Sequence, residues 1–167
     1  RRKNVMPANL VVQEPLLVKH LDNEITEFID DKITLCFEMI KREFEKKGYE
    51  LVFKSEADFN VELMPNKVIV DIERKVDYEK SGTKRTITEF NAVSINPIYD
   101  IAKVVERTVE EEARLCNAET DKISRANTWV DIDLVKSGDD EIYSVADTKT
   151  DKMWRFAIRG CNLAVPS

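Results

Sequence analysis

The stretch WVDIDLVKSGDDEIYSVADTKTDKMWRFAI, residues 129–158, decides the fold class. Apolar and polar residues alternate through most of it, which is the pattern of strands with one buried face. Turn-forming residues interrupt the alternation at Ser137-Gly138-Asp139-Asp140 and at Thr148–Asp151. The stretch therefore predicts three antiparallel strands, at Trp129–Val135, Glu141–Ala146 and Met153–Ile158.

Upstream of this stretch, the sequence predicts two helices. Leu17–Lys47 has apolar residues at helical spacing and no internal glycine or proline, and Gly48 follows as a stop. Its predicted apolar stripe comprises Leu17, Leu21, Ile25, Phe28, Ile29, Ile33, Cys36, Ile40 and Phe44. A second helix is expected from Asn96-Pro97, with Asn96 as the cap. Its predicted stripe comprises Ile98, Ile101, Ala102, Val105, Val109, Ala113 and Cys116.

Short β-type runs lie between the two helices and are separated by Pro65-Asn66 and Ser81-Gly82. They occupy Glu50–Phe53, Phe59–Leu63, Val68–Ile72 and Thr86–Phe90, the last with a tail running to Ile95. The order helix, three or four strands, helix, three strands predicts an α+β fold. We expect a mainly antiparallel sheet of about six to seven strands, with the two helices packed on one face.

Length and composition indicate one globular domain. The 167 residues suit a single core, which we place at 16–167, after a linker over 1–15 that holds two prolines. The net charge of −6 makes nucleic acid an unfavourable partner. No apolar run approaches the roughly 18 residues needed to cross a bilayer. The basic start Arg1-Arg2-Lys3 fits either a membrane-proximal remnant or an arbitrary boundary.

No residue pattern indicates catalysis, a metal site or a cofactor. His20 is the single histidine and is interpreted as a surface or capping residue. Asp131 and Asp133 fit the wet face of a strand and fail the calcium-loop pattern, because Val135 holds its fifth position. Glu110–Glu112 fits a solvated helix face. Four scattered glycines cannot build a phosphate cradle. We therefore expect no enzyme activity.

The three cysteines are the most informative remaining residues. Cys36 lies on the first helical stripe, which predicts a buried free thiol. Cys116 ends the second helix and Cys161 follows the last strand, so a disulfide bond between them would hold the C-terminus against the domain. Such a bond forms only in an oxidising compartment. Such a bond would add about 4 kcal/mol in the chain-entropy model. The alternative is three unrelated buried thiols in a cytosolic protein.

Several short segments carry a resemblance to a known group. They are EIYSVAD (141–147), RFAIRGC (155–161), Gly48-Tyr49 before the first strands, and Asn96-Pro97-Ile98-Tyr99 before a Glu-rich helix. In these segments the chain, from about Leu16 onward, resembles uncharacterised membrane-anchored proteins of small-genome archaea of the DPANN type. The resemblance implies an extracytoplasmic domain preceded by one pilin-like hydrophobic helix. It also favours the Cys116–Cys161 disulfide and supplies no catalytic residue.

We therefore expect a non-enzymatic, archaeal cell-surface domain with a structural, adhesive or protein-binding role. Its partner would be another protein or a further copy of the chain, and an N-terminal helix absent from this sequence would anchor it in the membrane. Exposed strand edges are natural contact sites. The alternatives are a subunit of a pilin-like surface filament, a cytosolic adaptor domain, and a ligand-binding or catalytic site assembled from Tyr99, Tyr143 and Arg159.

Overall fold

The computed structural model describes residues 17–159. Within them the chain forms helices and strands in the order α1 (Leu17–Lys46), β1 (Glu50–Phe53), β2 (Asp58–Met64), β3 (Lys67–Lys80), β4 (Thr83–Ile95), α2 (Ile98–Leu115), α3 (Thr120–Ala126), β5 (Val130–Ser137), β6 (Asp140–Asp147) and β7 (Met153–Arg159). These elements gather into two compact units. One comprises Leu21–Asp100, and the other comprises 17–20 with 101–159. We call them the first and the second unit.

Strand β3 organises the sheet of the first unit. It pairs with β4 between Lys67 and Lys80, while β1 and β2 pair with different parts of β3. A strand has only two edges, so β1 and β2 share one edge of β3 and β4 takes the other. The hairpin between β3 and β4 turns at Ser81-Gly82, where both residues have positive φ (52° and 78°). Two successive positive φ values match the twist of a tight hairpin.

Helix α1 supplies the core of the first unit. Its buried residues are Ile33 and Phe37, which cluster with the buried strand residues Leu51 and Val76. The ring of Phe37 meets that of Phe90 edge-to-face, with 5.1 Å between centroids. The helix stops at Gly48, whose φ of 78° disfavours residues with a side chain.

The second unit holds a three-stranded meander in the order β5-β6-β7, antiparallel throughout. Its core joins the buried face of α2 to residues of α3, β5 and β6. The buried members are Ile101, Val104, Val105, Ala118, Ile123, Val130, Ile132, Tyr143 and Val145. Strand β6 is central and contributes the fully buried Tyr143 and Val145.

The α+β class, the antiparallel pairing and the seven strands are confirmed. The single sheet is wrong, because the described strands form two separate sheets. The two-helix count is also wrong, because Thr120–Ala126 forms a short third helix. Two turns are too few for a helical period to stand out in a sequence. The linker at 1–15 lies outside the described residues, and one domain over 16–167 stays a prediction.

Candidate protein-contact surface

Strand β4 is an edge strand that is exposed along almost its whole length. Of its 13 residues only Phe90 is half-buried, and the other 12 are exposed. In the part of the chain that the structure describes, its pairing is with β3 alone. At about 3.3 Å per residue the strand presents an edge of roughly 43 Å. Its outer row of backbone N–H and C=O groups can pair with a further strand.

The two halves of β4 differ in chemistry. Lys84, Arg85 and Glu89 lie in the first half, where charge is the usual protection of an edge against unwanted pairing. The second half, Phe90–Ile95, carries no charge. Val93 is 55% exposed and Ile95 is 80% exposed. This apolar half lacks the charged side chains that usually protect a solvent-facing edge.

Asp77 of β3 holds the beginning of β4 in place. Its carboxylate accepts a hydrogen bond from the Thr86 hydroxyl at 2.7 Å and lies 3.2 Å from the Lys84 ammonium. The Thr86 hydrogen bond, followed by Lys84, lowers the pKa of Asp77 below its ordinary value. Because Asp77 is 8% exposed, these partners fix β4 against β3 at its charged end.

A buried polar network lies in the second unit. Glu112 of α2 is 2% exposed, and its Oε2 accepts hydrogen bonds from the Ala118 N–H at 2.6 Å and the Tyr143 hydroxyl at 2.9 Å. The Tyr143 oxygen also lies 3.0 Å from Oε2 of Glu141. One hydroxyl proton thus serves two carboxylates, and Lys136 at 2.5 Å from Glu141 compensates the second charge.

The network shifts the titration of its members in opposite directions. The Lys136 ammonium lowers the pKa of Glu141, and Glu141 raises that of Lys136. Burial, together with the two neighbouring carboxylates, raises the pKa of Tyr143. The hydroxyl therefore keeps its proton and acts as a fixed donor. Every buried side-chain polar atom of the described residues has a hydrogen-bond partner, which is the signature of a stabilising network.

The residues of the proposed scattered site take separate structural roles. Tyr143 is fully buried within the network, Arg159 is exposed and lies 3.4 Å from Asp140, and Tyr99 is half-buried near the start of α2. An open surface hollow of about 540 Å³ lies on a charged face of α2 and is lined by Lys103, Glu106, Arg107, Glu110, Glu111 and Arg114. No group of three metal-binding side chains occurs between residues 17 and 159.

The buried position predicted for Cys36 is wrong. Cys36 is a free thiol, as predicted, but it is exposed. The buried face of α1 runs through Ile33 and Phe37, and Cys36 is turned from Phe37 by about 100°. Cys116 ends α2 in the left-handed region, with φ of 51°, and its N–H donates to the Glu112 carbonyl at 2.8 Å. Cys161 lies outside the described residues, so the Cys116–Cys161 bond stays a prediction.

Glu112 is the residue that the sequence pattern misplaced. The run Glu110–Glu112 was expected to face solvent, yet Glu112 is buried and belongs to the core-facing side of α2 with Val105 and Thr108. Its position seven residues after Val105 is the one available signal. Its hydrogen-bond partner Tyr143 is 31 positions away in the sequence, and no local pattern indicates that pairing.

Comparisons with protein-family models, with curated proteins and with solved structures found no match for this chain. The fold itself defines an α+β protein with two antiparallel sheets. None of the helices within 17–159 is long and apolar enough to cross a membrane.

Proposed function

We propose that this chain is a non-enzymatic, extracytoplasmic cell-surface domain with a structural or adhesive role, and that copies of it associate through the free edge of β4. The observation that carries the proposal is the length and openness of this strand, 12 of whose 13 residues are exposed. The uncharged end with Val93 and Ile95 gives the edge apolar surface to bury.

Two copies of β4 match well in one antiparallel register. With Phe90 opposite Phe90, Ile87 of each copy lies opposite Val93 of the other, and Glu89 lies opposite the neutral Asn91. Apolar cross-strand pairs stabilise a sheet, while like charges directly opposite destabilise it. The register centred on Glu89 would place two carboxylates opposite each other. The sequence of β4 therefore favours the Phe90-centred pair, which spans 85–95 and places Ile95 opposite Arg85.

Substitution of Val93 by lysine tests this surface. Sedimentation velocity over a range of concentrations should show a dimer in the parent chain and a dimer dissociation constant raised at least about 10-fold in Val93→Lys, because each copy then places an ammonium group opposite Ile87. The matched control is Val135→Lys in β5, since Val135 is 59% exposed against 55% for Val93. An unchanged dimer in Val93→Lys, or a monomeric parent at high concentration, would contradict the proposal.

The size of the assembly separates a dimer from a filament. A two-fold pair of β4 strands closes on itself and leaves no second edge of the same kind. A pilin-like filament subunit would instead form open-ended fibres, which electron microscopy of the full-length chain would show. Discrete dimers that Val93→Lys dissociates support the edge pairing, whereas fibres that persist in Val93→Lys assign assembly to another surface.

The location of the domain is tested by its thiols. The resemblance to membrane-anchored archaeal proteins supports an extracytoplasmic position, and the predicted Cys116–Cys161 bond requires an oxidising compartment. Thiol titration and peptide mapping of denatured, unreduced protein from its native source should find one free thiol, at Cys36. Three free thiols would favour the cytosolic adaptor.

A further inference from the structure

Helix α1 carries a second apolar stripe on the side away from the core. Phe28, Leu35 and Met39 are 67%, 62% and 65% exposed. At about 100° per residue, Leu35 lies roughly 20° from Phe28 and 40° from Met39 around the helix axis. By the same geometry Leu35 lies about 160° from the buried Ile33. We call Phe28, Leu35 and Met39 the outer stripe.

The spacing of the outer stripe is that of a helix–helix contact. Steps of seven and four residues are those of the a and d positions of a helical seam. From Phe28 to Met39 the stripe spans roughly 16 Å at 1.5 Å per residue, which is about three turns. A surface helix with one partner usually carries polar residues opposite its core face. A second apolar face therefore indicates a second partner.

An acidic row runs along one flank of the outer stripe. Its four members occupy every seventh position of α1 and are exposed: Glu24, Asp31, Glu38 and Glu45. Within residues 17–159, Asp31, Glu38 and Glu45 belong to none of the salt bridges. Seven-residue spacing keeps the row beside the stripe along its whole length. Lys32 lies on the other side of the stripe, with its Nζ 3.4 Å from the centroid of the Phe28 ring. The acidic row is therefore the flank whose charge favours a basic partner.

We propose that the outer stripe of α1 binds an amphipathic helix of another protein, whose apolar stripe is flanked by Lys or Arg. A second copy of α1 does not fit. Antiparallel packing would align the two acidic rows, and parallel packing would set Glu38 of one copy beside Glu43 of the other. This proposal concerns a surface separate from the β4 edge and does not depend on dimer formation there.

Two synthetic helical peptides provide the probe. Both carry the same leucine stripe at a and d positions; one has lysine at the flanking positions and the other has glutamate. Fluorescence anisotropy at physiological salt should show that the protein binds the lysine peptide at least about 10-fold more tightly than the glutamate peptide. A bound helix should also slow the alkylation of the exposed thiol of Cys36, which follows Leu35 directly.

Substitution of Leu35 by glutamate separates docking from general charge attraction. Docking predicts that Leu35→Glu weakens lysine-peptide binding about 10-fold or more, although the variant is more negative. General attraction predicts that the added charge strengthens binding. The matched control is Leu115→Glu, because Leu115 is also an exposed helical leucine, at 47%. Equal binding by Leu35→Glu and Leu115→Glu would overturn the proposal.

Charge reversal tests the role of the acidic row. The double variant Asp31→Lys and Glu38→Lys should lose its preference for the lysine peptide and bind the glutamate peptide more tightly than the parent chain does. Both sites are exposed, so the fold should tolerate the change. An unchanged preference in the double variant would refute the selection by charge. Binding of the parent chain to anionic lipid vesicles, lost in Leu35→Glu, would assign the stripe to membranes instead.

Discussion

Replacing Tyr143 by phenylalanine should destabilise the second unit by about 2 kcal/mol. The change removes only the hydroxyl, since the ring remains stacked on Phe156 at 5.3 Å between centroids. Glu112, 2% exposed, would lose the hydroxyl donor at 2.9 Å and keep the Ala118 N–H. Hydrogen bonds to charged groups contribute about 1.5–3 kcal/mol, and a buried acceptor that loses its donor cannot turn to water.

Urea unfolding followed by tryptophan fluorescence measures the loss of stability in the second unit. Both tryptophans of the chain, Trp129 and Trp154, pack against the core of the second unit. The midpoint should fall with an unchanged m value. Ser137→Ala is the control within the second unit, because it also removes one hydroxyl, at an exposed site. It should change the free energy of unfolding by less than about 0.5 kcal/mol.

A double-mutant cycle with Glu112→Gln identifies the cause. If the cost of Tyr143→Phe comes from the buried charge of Glu112, the neutral glutamine should recover part of it, with a coupling of at least about 1 kcal/mol. Additive effects of the two substitutions, or a loss in Tyr143→Phe no larger than that in Ser137→Ala, would refute the reasoning about this network.

Two further predictions concern the first unit and acid stability. Phe37→Ala should lower the free energy of unfolding by about 3–5 kcal/mol, measured by far-UV circular dichroism in urea. Phe28→Ala, at a 67% exposed site, should lower it by less than about 0.5 kcal/mol. Similar losses in the two variants would contradict the buried position of Phe37 and the exposed position of Phe28. Glu141 and Asp77 have lowered pKa values in the folded chain, and their ordinary pKa values are 4.5 and 3.8. Each carboxylate therefore stabilises the fold when the pH is above its ordinary pKa, and this stability is lost as the pH falls through the lowered pKa. Acid titration of the unfolding free energy should therefore show a smaller loss in Glu141→Gln than in the parent chain, and an equal loss would contradict this role for Glu141.

Local patterns were sufficient where both the buried face and the turns are encoded nearby. The three C-terminal strands were predicted at 129–135, 141–146 and 153–158, and they lie at Val130–Ser137, Asp140–Asp147 and Met153–Arg159. Alternation fixes which residues face the core, and glycine and aspartate fix the turns between strands. Strand pairing here is between sequence neighbours, so no long-range information was needed.

The separation into two sheets could not be read from these local patterns. Strand β4 pairs with β3 only, and β5 pairs with β6, so the described strands never join across α2. The sequence of a hairpin is the same whether its sheet ends at that hairpin or continues into the next one. The length of β3 was also missed, because Glu73–Lys80 is rich in charge although the strand runs to Lys80. Pairing along both of its edges maintains that charged half as a strand.

The errors at Cys36 and Glu112 have opposite causes, and both arise because a helical stripe read from the sequence does not identify the buried face of the helix completely. In α1 the predicted stripe combined two faces, since Phe28 and Cys36 are exposed while Phe37, left out of the stripe, is 3% exposed. In α2 a carboxylate lies on the buried face because Tyr143, distant in sequence, donates to it. A buried polar residue on the core face of a helix requires a reason, and so does a row of apolar residues on its exposed face. For Glu112 that reason is inside the fold, whereas for the outer stripe of α1 we propose that it lies in a binding partner.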